Sequence, residues 1–174
     1  VSYFEQTLGT AEQQTALQAL QEAAGLLKVA VEPEAVFNAP QWWENPEVAD
    51  LLKEPLLSLC ARYLHELREK DQAPVDPVAR FHLGNGARIE RLNWLGDTSA
   101  KGMRESCGLM VNYLYQLKEI EKNIESYAVS KEIACASRVR NLLREEDEEQ
   151  GQLNRLRRLL PIGRSNSSTD VEQS

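Results

Sequence analysis

The chain has few of the residues that usually advertise chemistry. It holds two histidines, His65 and His82, and three cysteines, Cys60, Cys107 and Cys135. The cysteines are odd in number, widely spaced and form no CxxC pair. Free thiols in a reducing compartment are therefore expected, rather than a disulfide framework or a zinc site. No apolar run approaches the roughly 20 residues that a bilayer span requires, and the front carries no secretory apolar region. Positive charge is in deficit: 20 Lys and Arg against 27 Asp and Glu leave a formal net charge of −7. That balance argues against a general nucleic-acid or anionic-membrane surface. No glycine-rich phosphate loop is present either.

What remains is an ordinary globular composition, with 42% hydrophobic and 27% charged residues. At 174 residues the chain can bury one core, as one domain or as part of a larger one. It begins at Val1 rather than Met, which raises the expectation of a longer protein. Residues 11–30 predict a helix, because Leu17, Leu20, Ala24, Leu27 and Val31 recur every three or four positions. Phe37, Trp42 and Trp43 surround Pro40 in a packed loop or short helix. A helix is expected from Pro46, with Pro55 marking a new first turn between two helices and the second passing Leu56, Leu59, Tyr63 and Leu67. Residues 88–95 are compatible with a strand, a short helix follows through Lys101, Met103 and Arg104, and 108–115 is the best strand of the chain. Gln116 to Leu143 reads as helical with a break near Ala128-Val129-Ser130. Residues 144–149 are a charge run of the kind that ends a solvated helix. Leu153, Leu156 and Leu160 form an apolar stripe, and the polar sequence from Pro161 is expected to be disordered. The expected division is a unit over 1–143 and a charged helix end with tail over 144–174.

The richest short stretch is Asp76-Pro77-Val78-Ala79-Arg80-Phe81-His82-Leu83-Gly84-Asn85-Gly86-Ala87. Asp76 can accept backbone N–H groups at a helix start, and Pro77 suits the first turn, where its missing N–H does no harm. Gly84, Asn85 and Gly86 tolerate the positive φ values with which a helix stops. His82 thus falls at a helix C-terminal end, where the helix dipole favours a cation, and that is a reasonable place for a proton donor. Local sequence alone favours the plainer reading, a hydrogen-bonded core histidine between Phe81 and Leu83. His65, beside Glu66, Glu69 and Lys70, reads as part of a solvated face with no site signal.

Two segments change that balance. DPVARFHLGNGARIERLNWLGDTSAKG (Asp76–Gly102) and ESCGLMVNYLYQLKEIEKNIESY (Glu105–Tyr127) closely resemble the C-terminal part of the malonyl-CoA decarboxylase family. The paired FHL-x-NGA and GLM-x-NY-x-Y patterns at this separation are far more specific together than alone. Weaker similarity reaches back through EPLLSLCARYL (Glu54–Leu64) and forward to about Leu143, so the resemblance covers most of 40–143. It implies a helix-rich α+β chain: the C-terminal portion of a GNAT-type acyltransferase fold, incomplete here, with homo-oligomers formed through a separate N-terminal helical domain. The implied reaction converts malonyl-CoA to acetyl-CoA and carbon dioxide.

Loss of carbon dioxide leaves a carbanion delocalised onto the thioester oxygen, and a protein must orient the carboxylate, stabilise the enolate and protonate the carbon. The thioester is its own electron sink, so no metal and no organic cofactor is expected. By resemblance His82 is catalytic, acts with a serine and donates the proton to the enolate. Tyr115, in the NYLY segment, is implied to bind substrate, with His82. On a strand Tyr113 and Tyr115 share a face, so one is expected to pack and the other to reach the site, in an order the residues leave open. Asn85 and Asn112 are read as structural, holding the turn and local backbone.

One departure stands out. The family's serine lies in a Ser-Pro-x-Pro-Gly-Phe segment, and its coenzyme A pyrophosphate loop also lies upstream; these 174 residues contain neither. Ser58, Ser99 and Ser106 do not match that segment, and a protein starting at Val1 is expected to be inactive alone. Two rival readings are another acyl-CoA transferase on the same fold and a non-catalytic helical interaction module. Family members work in mitochondria, peroxisomes or the cytosol; an intracellular site is expected, and the C-terminus Val171-Glu172-Gln173-Ser174 is not Ser-Lys-Leu.

Overall fold

The computed structural model describes residues 14–143. The charge run at 144–149, the leucine stripe at 153–160 and the tail lie outside the described residues. The order of elements is helix α1 (Gln14–Leu27), helix α2 (Pro33–Phe37), a 3-10 turn (Trp42–Glu44), helix α3 (Pro46–His65), helix α4 (Pro77–Gly84), strand β1 (Arg88–Asn93), helix α5 (Ala100–Ser106), strand β2 (Met110–Leu114) and helix α6 (Ile120–Ser130). A last helical segment occupies 137–143. The chain is α+β and rich in helix, as expected.

α1 and α3 pack together and carry half of the core. The buried stripe of α1 is Ala16, Ala19, Leu20, Ala23 and Ala24, whereas Leu17 and Val31 are exposed. The expected apolar face was therefore set partly on the wrong residues. Alanines shorten the distance at which two helix backbones can meet, so a small-residue stripe wins the interface over larger neighbours.

α3 corrects a second expectation. It runs unbroken through Pro55, capped by Asn45, whose side chain accepts from the backbone N–H groups of Glu47 and Val48. A proline inside a helix costs about 3 kcal/mol through a lost hydrogen bond and a clash with the preceding turn. Here one buried stripe continues on both sides of it: Val48, Ala49 and Leu52 before, Leu56, Leu59, Cys60 and Leu64 after. At about 1.5–3 kcal/mol per buried large aliphatic side chain, keeping that stripe on one helix outweighs the penalty. Around the front of α3, Trp42 is fully buried, with ring contacts to Phe37, Trp43 and Trp94 at centroid separations of 6.2, 6.0 and 6.1 Å.

β1 and β2 form an antiparallel pair with Ile89 opposite Tyr113 and Leu92 opposite Val111. A bulge between Ile89 and Arg91 shifts the alternation, so Ile89 and Leu92, three apart, both point inward. On its other side β1 exchanges backbone hydrogen bonds with the segment after α6: Ile89 N–H to Ala134 O and Ala136 N–H to Ile89 O, each 2.9 Å. That extended stretch replaces part of the helix expected between Gln116 and Leu143. The break falls where it was expected, with Lys131 in the left-handed conformation at φ 59° just after α6.

Candidate active site

α4 is built as its sequence directs. The Asp76 carboxylate accepts from Ala79 N–H at 2.6 Å, Pro77 occupies the first turn, and His82 lies in the last turn. The stop is made by Asn85, whose side chain donates to Phe81 O at 2.8 Å, and by Gly86 at φ 82°. α6 closes over this turn: a Cβ on Gly86 would lie 2.7 Å from Ile120 O, and Asn123 donates to Gly86 O at 3.0 Å. The histidine is thereby held on a short helix clamped at both ends. Among the described residues, Leu83 next to it is buried, whereas Phe81 on the other side is 64% exposed. Since His82 itself is only half-buried, it is not a core residue.

β2 brings its tyrosines to that histidine. The Tyr113 ring stacks on the imidazole with centroids 4.3 Å apart and planes 15° from parallel. Tyr115, just past the end of β2, places its hydroxyl 2.8 Å from His82 Nδ1, a hydrogen bond that either partner can donate. The structure thus divides the two tyrosines, Tyr113 by its face and Tyr115 by its oxygen. Nε2 of His82 has no hydrogen-bond partner among the described residues. Burial, with the Asp76 charge second, pushes the Tyr113 phenol well above its usual range. Asp76 also accepts from the Tyr63 hydroxyl at 3.2 Å. Burial first, then the Asp76 charge and that hydrogen bond, raise the Tyr63 phenol as well.

Ser58, Ser99, Ser106 and Asn112 are engaged in hydrogen bonds within the fold. Ser58 donates to Leu142 O at 2.8 Å, Ser99 caps α5 by accepting from Gly102 N–H at 3.1 Å, and Ser106 donates to Gly102 O at 3.1 Å. Asn112 accepts a side-chain hydrogen bond from Asn93 at 2.5 Å, in place of the backbone role expected of it. The three cysteines are free. Burial pushes Cys60 up to about 12, helped by the Asp76 charge, and Cys107 up to about 11, so neither presents a ready thiolate. Among the described residues no cluster of side chains is suited to holding a metal ion, and no helix is long and apolar enough to cross a membrane.

His65 departs from expectation. It is half-buried, with Nδ1–H donating to Ala61 O at 2.8 Å and Nε2 buried without a hydrogen-bond partner among the described residues. Burial holds it below its ordinary value of 6.5, and the Arg140 charge adds to that against the opposing backbone hydrogen bond. The segment 137–143, which returns to α3 at Ser58, brings the Arg140 charge that the local sequence of His65 does not contain.

These features define a helix-rich α+β protein that offers an imidazole, contacted by two tyrosines, at a partly open surface. A family model described as the malonyl-CoA decarboxylase C-terminal domain matches residues 1–153. The mitochondrial malonyl-CoA decarboxylase of Rattus norvegicus is 42% identical over 108 residues, 62% of this chain and 22% of its own length. That of Mus musculus is 42% identical over 107 residues, with the same coverage of each. Of solved structures, malonyl-CoA decarboxylase from Rhodopseudomonas palustris is 47% identical with a TM-score of 0.59, over 70% of this chain and 26% of that one. The enzyme from Agrobacterium vitis is 49% identical with a TM-score of 0.58, over 67% and 30%. The chain belongs to the malonyl-CoA decarboxylase family, within its C-terminal domain. It spans under a third of the length of each of these relatives.

Proposed function

We propose that this chain forms part of an enzyme that converts malonyl-CoA to acetyl-CoA and carbon dioxide, with His82 as the proton donor. The observation that carries the reading is the His82–Tyr115 pair, formed by the two segments most like the family. The bond between the malonyl carboxylate and its neighbouring carbon breaks, and its electron pair moves into the thioester carbonyl as an enolate. His82, as imidazolium, gives the Nε2 proton to that carbon and keeps the Nδ1 proton, which is donated to the Tyr115 oxygen. The product is the methyl group of acetyl-CoA, and solvent returns the proton to the imidazole. Substrate binding at His82 and Tyr115 is part of this reading, as is a serine supplied by a Ser-Pro-x-Pro-Gly-Phe segment absent from these residues.

The proposal extends to a GNAT-type acyltransferase fold, of which the chain would form the C-terminal portion over 1–143, and to homo-oligomers built through the family's N-terminal helical domain. An intracellular site belongs to it too, supported by the mitochondrial relatives and the free cysteines. The test joins this chain to the upstream part of a family member and supplies malonyl-CoA, with and without an acceptor amine. Acetyl-CoA and carbon dioxide in equal amounts, independent of the amine, are expected. Acyl transfer to the amine would point instead to the rival transferase, and no turnover at all would remove the proposal.

A further inference from the structure

One hydrogen bond to an exposed side chain holds an imidazole loosely, because χ1 and χ2 of the histidine can shift together while the contact is kept; the contact with Tyr115, itself exposed, does not by itself fix the His82 ring. The plane is set by something else. The Tyr113 ring lies 4.3 Å from the imidazole and within 15° of parallel, on the face that β2 presents toward α4. Tyr113 is held in turn: its backbone is locked in register opposite Ile89, which is fully buried, and its half-buried side chain packs against the core. Phe81 meets the imidazole edge-on at 5.3 Å, but it is 64% exposed and sits on the same helix, so it supports the ring less firmly.

We infer that Tyr113 is a positioning residue for His82: its ring fixes the imidazole plane so that Nδ1 meets Tyr115 while Nε2 stays unengaged by the described residues. The aromatic face performs this task and the phenol oxygen does not, since no hydrogen bond ties that oxygen to a described residue. The raised phenol agrees with such a role, because a ring that stays neutral keeps the same stacking surface across the working pH range. The two tyrosines of one short segment then differ in kind. Tyr113 is replaceable by phenylalanine and Tyr115 is not.

The consequence for catalysis rests on His82 being the proton donor, whereas the geometry can be tested apart from that reading. The 174-residue chain has two histidines, so its imidazole carbon-bound protons give two sets of NMR signals, assigned by loss of one set in His82→Gln. The His82 signals are expected upfield because of the stacked ring, with cross-relaxation to Tyr115. Tyr113→Phe should preserve both features. Tyr113→Leu and Tyr113→Met should move the His82 signals downfield and weaken the contact with Tyr115, with His65 unmoved as an internal check on folding. Two aliphatic variants are used so that one that fails to fold does not decide the matter. An unchanged His82 signal in a folded aliphatic variant, or a lost one in Tyr113→Phe, overturns the inference.

In the joined enzyme, Tyr113→Phe should keep kcat within about twofold. The aliphatic variants should lower kcat about tenfold or more with little change in KM, as expected for a misplaced catalytic group. A rise in KM with kcat intact would contradict the positioning role. If turnover is indifferent to His82→Ala, the proton-donor reading fails while the NMR result still decides how His82 is held.

Discussion

At the scale of single residues, the site depends on which atom of each side chain is used. Tyr115 contributes an oxygen, so Tyr115→Phe removes the partner of Nδ1 and little else. A hydrogen bond to a charged group contributes about 1.5–3 kcal/mol, so kcat of the joined enzyme should fall about ten- to a hundredfold in that variant. Equal kcat for Tyr115→Phe and the parent would show that the contact is idle. His65 offers a test of the other kind, on stability. Its folded form is held below the ordinary value of 6.5, so between those two values the unfolded chain binds a proton that the folded chain refuses. Stability tied to His65 is therefore present above about pH 6.5 and is lost as pH falls below it. Denaturation curves at about pH 7.5 and 5.5 should show the parent losing more stability than His65→Gln; parallel losses would contradict the burial described here. This is not legible locally, because the neighbours Glu66, Glu69 and Lys70 are charged and exposed while His65 itself is half-buried and feels the charge of Arg140, far along the chain.

At the scale of elements, much was legible because it is written in local chemistry. Asp76, Pro77, Asn85 and Gly86 specify the start and stop of α4 without help from the rest of the chain, and they place His82 in its last turn. The strand expected over 108–115 was readable from its apolar and aromatic residues and occupies 110–114, while 88–95, only compatible with a strand by sequence, forms one over 88–93. Unreadable features were those decided at a distance. The unbroken α3 depends on a shared buried face, and the extended segment at 134–136 exists because Ile89 offers it a backbone edge. The clamp of α6 on the turn after His82 is likewise long-range, and it makes a sharp prediction. Gly86→Ala places a methyl group against Ile120 O at a φ of 82°, which should lower the unfolding free energy by about 1–3 kcal/mol. Urea denaturation monitored by circular dichroism measures it, and an unaffected midpoint would mean that α6 does not rest on this turn.

At the scale of the whole molecule, the chain spans under a third of the length of the relatives named above, and on the proposed function it would carry one half of an acid–base site. Half of the candidate site was legible for a particular reason. FHL and NYLY are short, local and specific, yet only the fold shows that they meet, through the pairing of β1 with β2 beside α4. Which tyrosine stacks and which one bonds followed from the register and from where β2 ends, neither of which the letters Tyr-Leu-Tyr contain. Val78, Phe81, Tyr115 and Leu117 are exposed around this region, so the imidazole sits among apolar surface on α4 and past the end of β2. On the proposed function this imidazole delivers the proton that completes decarboxylation. The most direct measurement of that step is the rate of acetyl-CoA formation from malonyl-CoA by this chain joined to a family upstream segment, for the parent and for His82→Ala. A loss of about a hundredfold or more is expected, the usual contribution of a positioned general acid; equal rates in the two proteins would show that His82 is not the proton donor.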